Sequence, residues 1–301
     1  MIVKDRLQGG LRAKGIFKKS SSLKPLISVI TVVLNGEKYL EKAISSIKEQ
    51  TYDNVEYIII DGGSKDGTLD IISKHEDHID FWMSENDNGI YNAMNKGIAL
   101  SKGDYVGFVG SDDYLYPNTL GELANAVKKK AIDYTVGAVD IVNDNGKIIE
   151  KILVLPNFLD KSRFIFDMAT HHLSFYVSRR IIDKVGNFDE AFNIRSDYDM
   201  SISVISASKN NFNFVECVGG FREGGISGSY QSYFENNSTF TAKISSDQKS
   251  NEIIYKNFIN KKEGKKIQLG KFIELHGFNS FKALEKEENL YKLGKRTGLQ
   301  A

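Results

Sequence analysis

The chain has 301 residues, with 40 basic side chains against 39 acidic ones, and 41% of its residues are apolar. That composition is ordinary for a soluble globular protein and leaves room for one large α/β domain with an appendage. The single cysteine, Cys217, excludes an intrachain disulfide, no apolar run reaches the roughly 18–20 residues that cross a bilayer, and no basic face carries interleaved aromatics for nucleic acid.

Residues 1–24 are basic, with Lys4, Arg6, Arg12, Lys14, Lys18, Lys19 and Lys24 against the single acid Asp5. They are expected to form a solvated, partly disordered arm, or else a surface attracted to anionic lipid. From residue 27 onward strands and helices alternate. Ile27–Val33 is a β-branched run, and Glu37–Gln50 follows with Leu40, Ile44 and Ile47 at helical spacing. Val55–Ile60 is a second strand closed by Asp61-Gly62-Gly63, and Thr68–Lys74 is a short helix with Asp66 before it as cap. Ile79–Met83, the helix Ile90–Leu100 and the strand Asp104–Val109 come next, then Pro117 at a helix start. This βαβαβαβ alternation predicts a mixed, mostly parallel sheet flanked by helices.

The second half is less regular. Ile132–Val142 and Lys147–Leu155 flank the hairpin signal Asn143-Asp144-Asn145-Gly146. Ser174–Val177 and Asn213–Val218 read as strands, and Ser196–Ser206 as a helix. Beyond about residue 235 the pattern is polar and helical.

Ligands of such sheets bind outside the carboxyl ends of the strands. Asn35, Asp61, Asn88 and Asp112 all follow strands and therefore gather on one rim. Asp112 and Asp113 end the apolar run of VGFVGSDDYLY, where two adjacent carboxylates are costly without a partner. Hard oxygen donors suit a hard divalent cation, which in turn holds the phosphates of a nucleotide. The pair can serve one ion only if the chain turns there, since neighbouring strand side chains point oppositely.

Several motifs in order now carry a resemblance: SVITVVLNGEKYLEKAISSIKEQTY, EYIIIDGGSKDGT, SENDNGIYNAMNKGI, GDYVGFVGSDDYLYP, HHLSFYVSRR, VGNFDEAFNIRSDYDM and FREGGISG. Across roughly residues 26–230 the chain resembles family 2 glycosyltransferases with the GT-A fold, a Rossmann-like nucleotide-diphospho-sugar transferase architecture. The resemblance implies a metal-dependent, inverting sugar transfer from a nucleotide sugar, a UDP-sugar in the first instance, to a glycan or lipid-linked acceptor in bacterial surface polysaccharide synthesis such as O-antigen. It implies a nucleotide-binding half over 26–118 and an acceptor half over 119–235, between a basic N-terminal arm (1–25) and a helical C-terminal extension (236–301). It places the protein in the cytoplasm, with peripheral contact to the inner membrane.

The resemblance also assigns residues. Asp61 would accept the imide N–H of uracil; the alternative reading of the residue by itself is a turn-forming Asp. Thr31, Val33 and Asn35 would line the base pocket, with Asn92, Lys96 and Ser111 on the same rim beside Asn88, Gly89 and Asn95. Asp113 would coordinate Mn²⁺ or Mg²⁺, with Asp112 on the ribose or supporting the metal. Asp197 is the expected base, at a helix start that favours an ionised carboxylate, with Asp199 as its rival and Ser196 where the family often has Glu. His171 would lie near donor or acceptor sugar, and Arg222, Gly224, Gly225 and Ser227 would form a loop closing on the diphosphate. The competing classes are a non-catalytic nucleotide-sugar or glycan-binding module, which would lack the metal acids or the base, and a nucleotidyltransferase, whose Gly-rich basic loop LNGEKYL does not match.

Overall fold

The structure is a computed structural model, and it describes residues 6–152, 171–191, 196–208 and 212–223. All of these fall within one compact unit, Met1–Lys243. The proposed C-terminal extension lies outside the described residues.

The strands are β1 (Leu7–Gly9), β2 (Ile27–Val33), β3 (Val55–Asp61), β4 (Phe81–Ser84), β5 (Tyr105–Phe108), β6 (Tyr114–Leu115), β7 (Tyr134–Val142), β8 (Ile148–Ile152), β9 (Val177–Ser178) and β10 (Phe212–Arg222). The helices are α1 (Leu40–Lys48), α2 (Thr68–Lys74), α3 (Ile90–Leu100), α4 (Thr119–Lys129), α5 (Arg179–Val185) and α6 (Ser196–Ala207). One sheet runs in the order β1-β4-β3-β2-β5-β9-β7-β10-β6, with β8 added to β7. The block β4-β3-β2-β5 is parallel, as the alternation predicts. Every residue of β3 is buried and β2 is buried at all but one position. Such continuous apolar runs belong to strands covered on both faces. On one face α1 lays down Leu40, Ala43, Ile44 and Ile47.

Local chemistry sets several boundaries. Helix α1 begins at Leu40 rather than Glu37, because Glu37 is tied to the loop before α2. Its carboxylate accepts Gly67 N–H at 2.7 Å, and its own N–H donates to Asp66 at 3.1 Å. Asp66 also accepts Thr68 N–H at 3.1 Å, close to the expected cap. The hairpin between β7 and β8 forms as expected, with Asn143 Oδ1 accepting from Asn145 N (3.1 Å) and Lys147 N (3.0 Å). The predicted strand at Ser174 is instead a 3₁₀ turn over His172–Ser174, because both the N–H and the hydroxyl of Ser174 bond the His171 carbonyl at 2.9 Å.

The N-terminal segment departs most from expectation. Residues 6–24 are not a solvated arm. Strand β1 pairs antiparallel with β4 and forms the sheet edge. Arg12 reaches Glu56 inside the fold, where the two side chains are 12% and 3% exposed. Arg12 also donates to the Leu100 carbonyl at 2.9 Å, and Lys18 bonds the buried Asp80 at 2.8 Å. Lys14 and Lys24 pair with Asp77 and Asp53, at 2.6 and 2.7 Å. Two of the basic charges, on Arg12 and Lys18, are therefore paired with buried carboxylates within the fold.

Candidate active site

The carboxyl ends of β2, β3, β4 and β5 form the predicted rim. Past β5 the chain turns, with the Gly110 carbonyl accepting Asp113 N–H at 3.1 Å. This turn resolves the strand-alternation difficulty for the acid pair. A Cβ on Gly110 would lie 2.6 Å from Asp113 Oδ2 and 2.9 Å from Asp112 Oδ1, so both carboxylates fold back over the same bare backbone. Only glycine leaves that space open.

Asp113 is buried, accepts Arg222 N–H through Oδ1 at 2.9 Å, and faces His172 Nε2 through Oδ2 at 3.4 Å. Burial and the charge of Asp113 push the Asp112 carboxyl up to about 6. Burial pulls the His172 imidazole down, but Asp113, Asp197 and Asp112 outweigh it and raise its pKa. His172 thus sits among three carboxylates. Asp197, in the first turn of α6, is partly exposed and shares the walls of a small cavity with His172, Phe188 and Met200. Its rival Asp199 is 8% exposed and buried. The structure therefore brings the acid pair, His172 and Asp197 together from three separate stretches of chain.

Other expected site residues have partners within the fold. Asp61 is fully buried. Its Oδ2 accepts Ser84 Oγ at 2.5 Å and the N–H groups of Gly63 and Ser64 at 3.1 Å, and its Oδ1 accepts the Ser64 hydroxyl. It holds the turn and cannot reach a base without breaking that network. Thr31 is equally buried and bonds the Tyr57 hydroxyl at 3.0 Å. Val33 is buried with its carbonyl accepting Gly62 N–H at 2.9 Å. Asn35 stays on the exposed rim at φ 54°, a left-handed position that Asn tolerates, locked by Ser64 Oγ (2.7 Å) and Lys65 N–H (2.8 Å).

Asn92 and Asn95 clamp Glu190 at 3.0 and 2.8 Å, and Lys96 pairs with Glu85 at 2.8 Å, so none of the three is held toward a nucleotide. Ser111 remains half-exposed beside the turn. His171 packs edge-on against Phe221 with ring centroids 4.2 Å apart and accepts Leu173 N–H at 3.3 Å. Burial, with the charge of His172, holds its pKa well below the ordinary value. The histidine facing the acids is His172. Arg222 is 3% exposed, stands over the Tyr39 ring at 4.1 Å, and donates to the carbonyls of Asp112 (3.1 Å), Asn143 (2.6 Å) and Asp144 (2.8 Å). It braces the acid turn from behind. Gly224, Gly225 and Ser227 lie outside the described residues.

One rim carboxylate escaped the sequence reading. Asp87 Oδ2 lies 2.6 Å from where a Cβ on Gly62 would stand, and Oδ1 accepts Gly89 N–H at 2.8 Å. Asp87 is partly exposed, unlike Asp61. The pair Gly62-Gly63 was the available signal, since bare backbone at a rim admits a side chain from the neighbouring loop.

Among the described residues no three His, Cys, Asp or Glu side chains are grouped as a metal cage. The acid pair still fits a hard divalent cation, because magnesium-type sites take one or two carboxylates and complete their shell with water and substrate phosphates. No helix among the described residues is long and apolar enough to cross a membrane.

The sequence model described as glycosyl transferase family 2 matches residues 28–186. An uncharacterized glycosyltransferase of Rickettsia felis is 30% identical over 197 residues, covering 62% of this chain and 33% of that protein. A PGL/p-HBAD biosynthesis glycosyltransferase of Mycobacterium bovis is 28% identical over 187 residues, covering 60% and 70%. The chain thus spans about a third of the Rickettsia felis relative's length. Among solved structures, S. aureus TarS 1-349 in complex with UDP-GlcNAc superposes with a TM-score of 0.55 at 20% identity, covering 66% of this chain and 59% of that one. At that identity the likeness speaks for the fold, which is GT-A.

Proposed function

We propose that this chain, which belongs to glycosyl transferase family 2, transfers a sugar from a nucleotide sugar to an acceptor hydroxyl with inversion at C1. The observation that carries the reading is the convergence of Asp112 and Asp113 over Gly110, with His172 facing Asp113 and lining one cavity with Asp197.

The roles follow from where these groups sit. Asp87, not Asp61, accepts an N–H of the base, and Asn35 with the backbone after β2 borders the base pocket. Asp113 and Asp112 would hold Mn²⁺ or Mg²⁺, which when bound supplies positive charge to the leaving diphosphate. Asp197 takes the acceptor proton as the hydroxyl oxygen bonds to C1; the C1–O bond to phosphate breaks, and its electron pair leaves with the nucleoside diphosphate. Arg222 keeps the acid turn in place through the Asp112 carbonyl and the Asp113 carboxylate. A UDP-sugar is the proposed donor, since the partly exposed Asp87 suits an imide N–H and the TarS fold relative was solved with UDP-GlcNAc. The proposed acceptor is a glycan or lipid-diphosphate-linked sugar of bacterial surface polysaccharide, used at the cytoplasmic face of the membrane. That assignment rests on the family, as the fold alone does not select an acceptor.

A thermal-shift screen of nucleotide sugars with Mn²⁺ or with EDTA tests the reading. A donor that binds only the folded, metal-loaded protein should raise its melting temperature with Mn²⁺ and not with EDTA. Equal stabilisation under both conditions would remove the metal from the proposal, and no stabilisation by any nucleotide sugar would remove the donor site.

A further inference from the structure

The base proposed above sits on α6, in the second half of the chain, and one hydroxyl that reaches its carboxylate comes from the first half. Tyr91, in the first turn of α3, donates to Asp197 Oδ1 at 3.4 Å, across 106 positions of sequence. The tyrosine is 7% exposed, and its ring is held firmly. It stacks on Phe188 with centroids 5.8 Å apart and an interplanar angle of 27°, and Phe188 packs edge-on against Phe108 at 5.5 Å. The Phe188 backbone is pinned in turn, since its N–H donates to Asn95 Oδ1 and its carbonyl accepts from Asn95 Nδ2, both at 2.9 Å.

A buried phenol without a partner for its O–H is costly, so its hydroxyl needs an acceptor. Here a carboxylate of the proposed site supplies it. A carboxylate on a single flexible side chain has several rotamers, and a base works only within hydrogen-bond reach of the proton it removes. A rigid donor on one oxygen selects among those rotamers and fixes the angle of the other.

We propose that Tyr91 is a positioning residue for Asp197: anchored on the donor-binding half, it sets the orientation of the base and so registers the two halves of the site. The inference rests on the reading of Asp197 as base. It explains why the asparagines of α3 are spent on the 188–190 segment instead of on a nucleotide, because that segment supports the ring.

A double-mutant cycle tests it on the full chain with the donor found in the screen. Tyr91→Phe keeps the ring and its packing and removes only the hydroxyl. In the wild-type background it should lower kcat about tenfold, the scale of one hydrogen bond to a charged group, with donor KM and melting temperature unchanged. In an Asp197→Asn background the same substitution should have no further effect on kcat, because the group it positions is gone. An equal loss in both backgrounds, or no loss in the wild type, would overturn the positioning role while leaving the base assignment standing. Wild-type turnover by Asp197→Asn itself would overturn the base assignment, and with it this inference.

Discussion

Replacing Arg12 by Met should cost far more than trimming a charge from a solvated arm. Glu56 is 3% exposed and has three partners: Arg12, Ser28 Oγ at 2.5 Å and Lys102 N–H at 2.7 Å. Without the guanidinium, a buried carboxylate keeps two neutral donors and loses its counter-charge. Breaking a buried pair from one side typically costs about 3–5 kcal/mol, and the 12% exposure of Arg12 points to the lower end, about 3 kcal/mol. In a domain of this size that corresponds to a fall in melting temperature of about 6–12 °C. Circular dichroism on heating measures it. The double variant Arg12→Met with Glu56→Gln should recover most of the loss, since the amide oxygen still accepts from Lys102 and carries no charge. A single variant melting within about 2 °C of wild type would refute the argument that residues 6–24 are an integral edge of the sheet.

Three further outcomes follow from the rim. Asp113→Ala and Asp197→Asn should each lower turnover by ~10²–10⁴, through lost metal positioning and lost proton acceptance, in steady-state assays of folded protein. Asp87→Ala should raise the donor KM about tenfold with kcat nearly unchanged, whereas Asp61→Ala should chiefly lower the melting temperature; a reversed pattern would return the base-reading role to Asp61. Mn²⁺ affinity, measured by calorimetry, should weaken as pH falls through about 6, because the Asp112 carboxyl, raised by burial and by Asp113, then holds a proton that the metal must displace; affinity flat from pH 7 to 5 would contradict this.

The parallel block was legible because burial on both faces writes itself as unbroken apolar runs, such as VITVV and VEYIII, between turn residues. The position of the rim followed, and with it the place of Asp112 and Asp113 just past β5. Ownership of each polar group was not legible, because it depends on what stands opposite. Asp61 and Asp87 both follow strands, but register places Ser84 across from Asp61, and its hydroxyl turns that carboxylate inward. Lys96 and Asn92 lie on the correct helix, yet Glu85 and Glu190 arrive from loops whose path no periodicity announces. His171 and His172 are indistinguishable in sequence, and a single 3₁₀ turn sends one into Phe221 and the other toward Asp113. The N-terminal cations look like a solvated run until their partners, Glu56 and Asp80, are seen to sit on buried strand ends more than 40 positions away. The rim groups that converge are Asp112, Asp113, His172 and Asp197, with Asp87 beside Gly62 on the neighbouring loop. Asp112, Asp113 and Asp197 act together on one imidazole, and a divalent cation bound there would offset both their charge and that of a diphosphate.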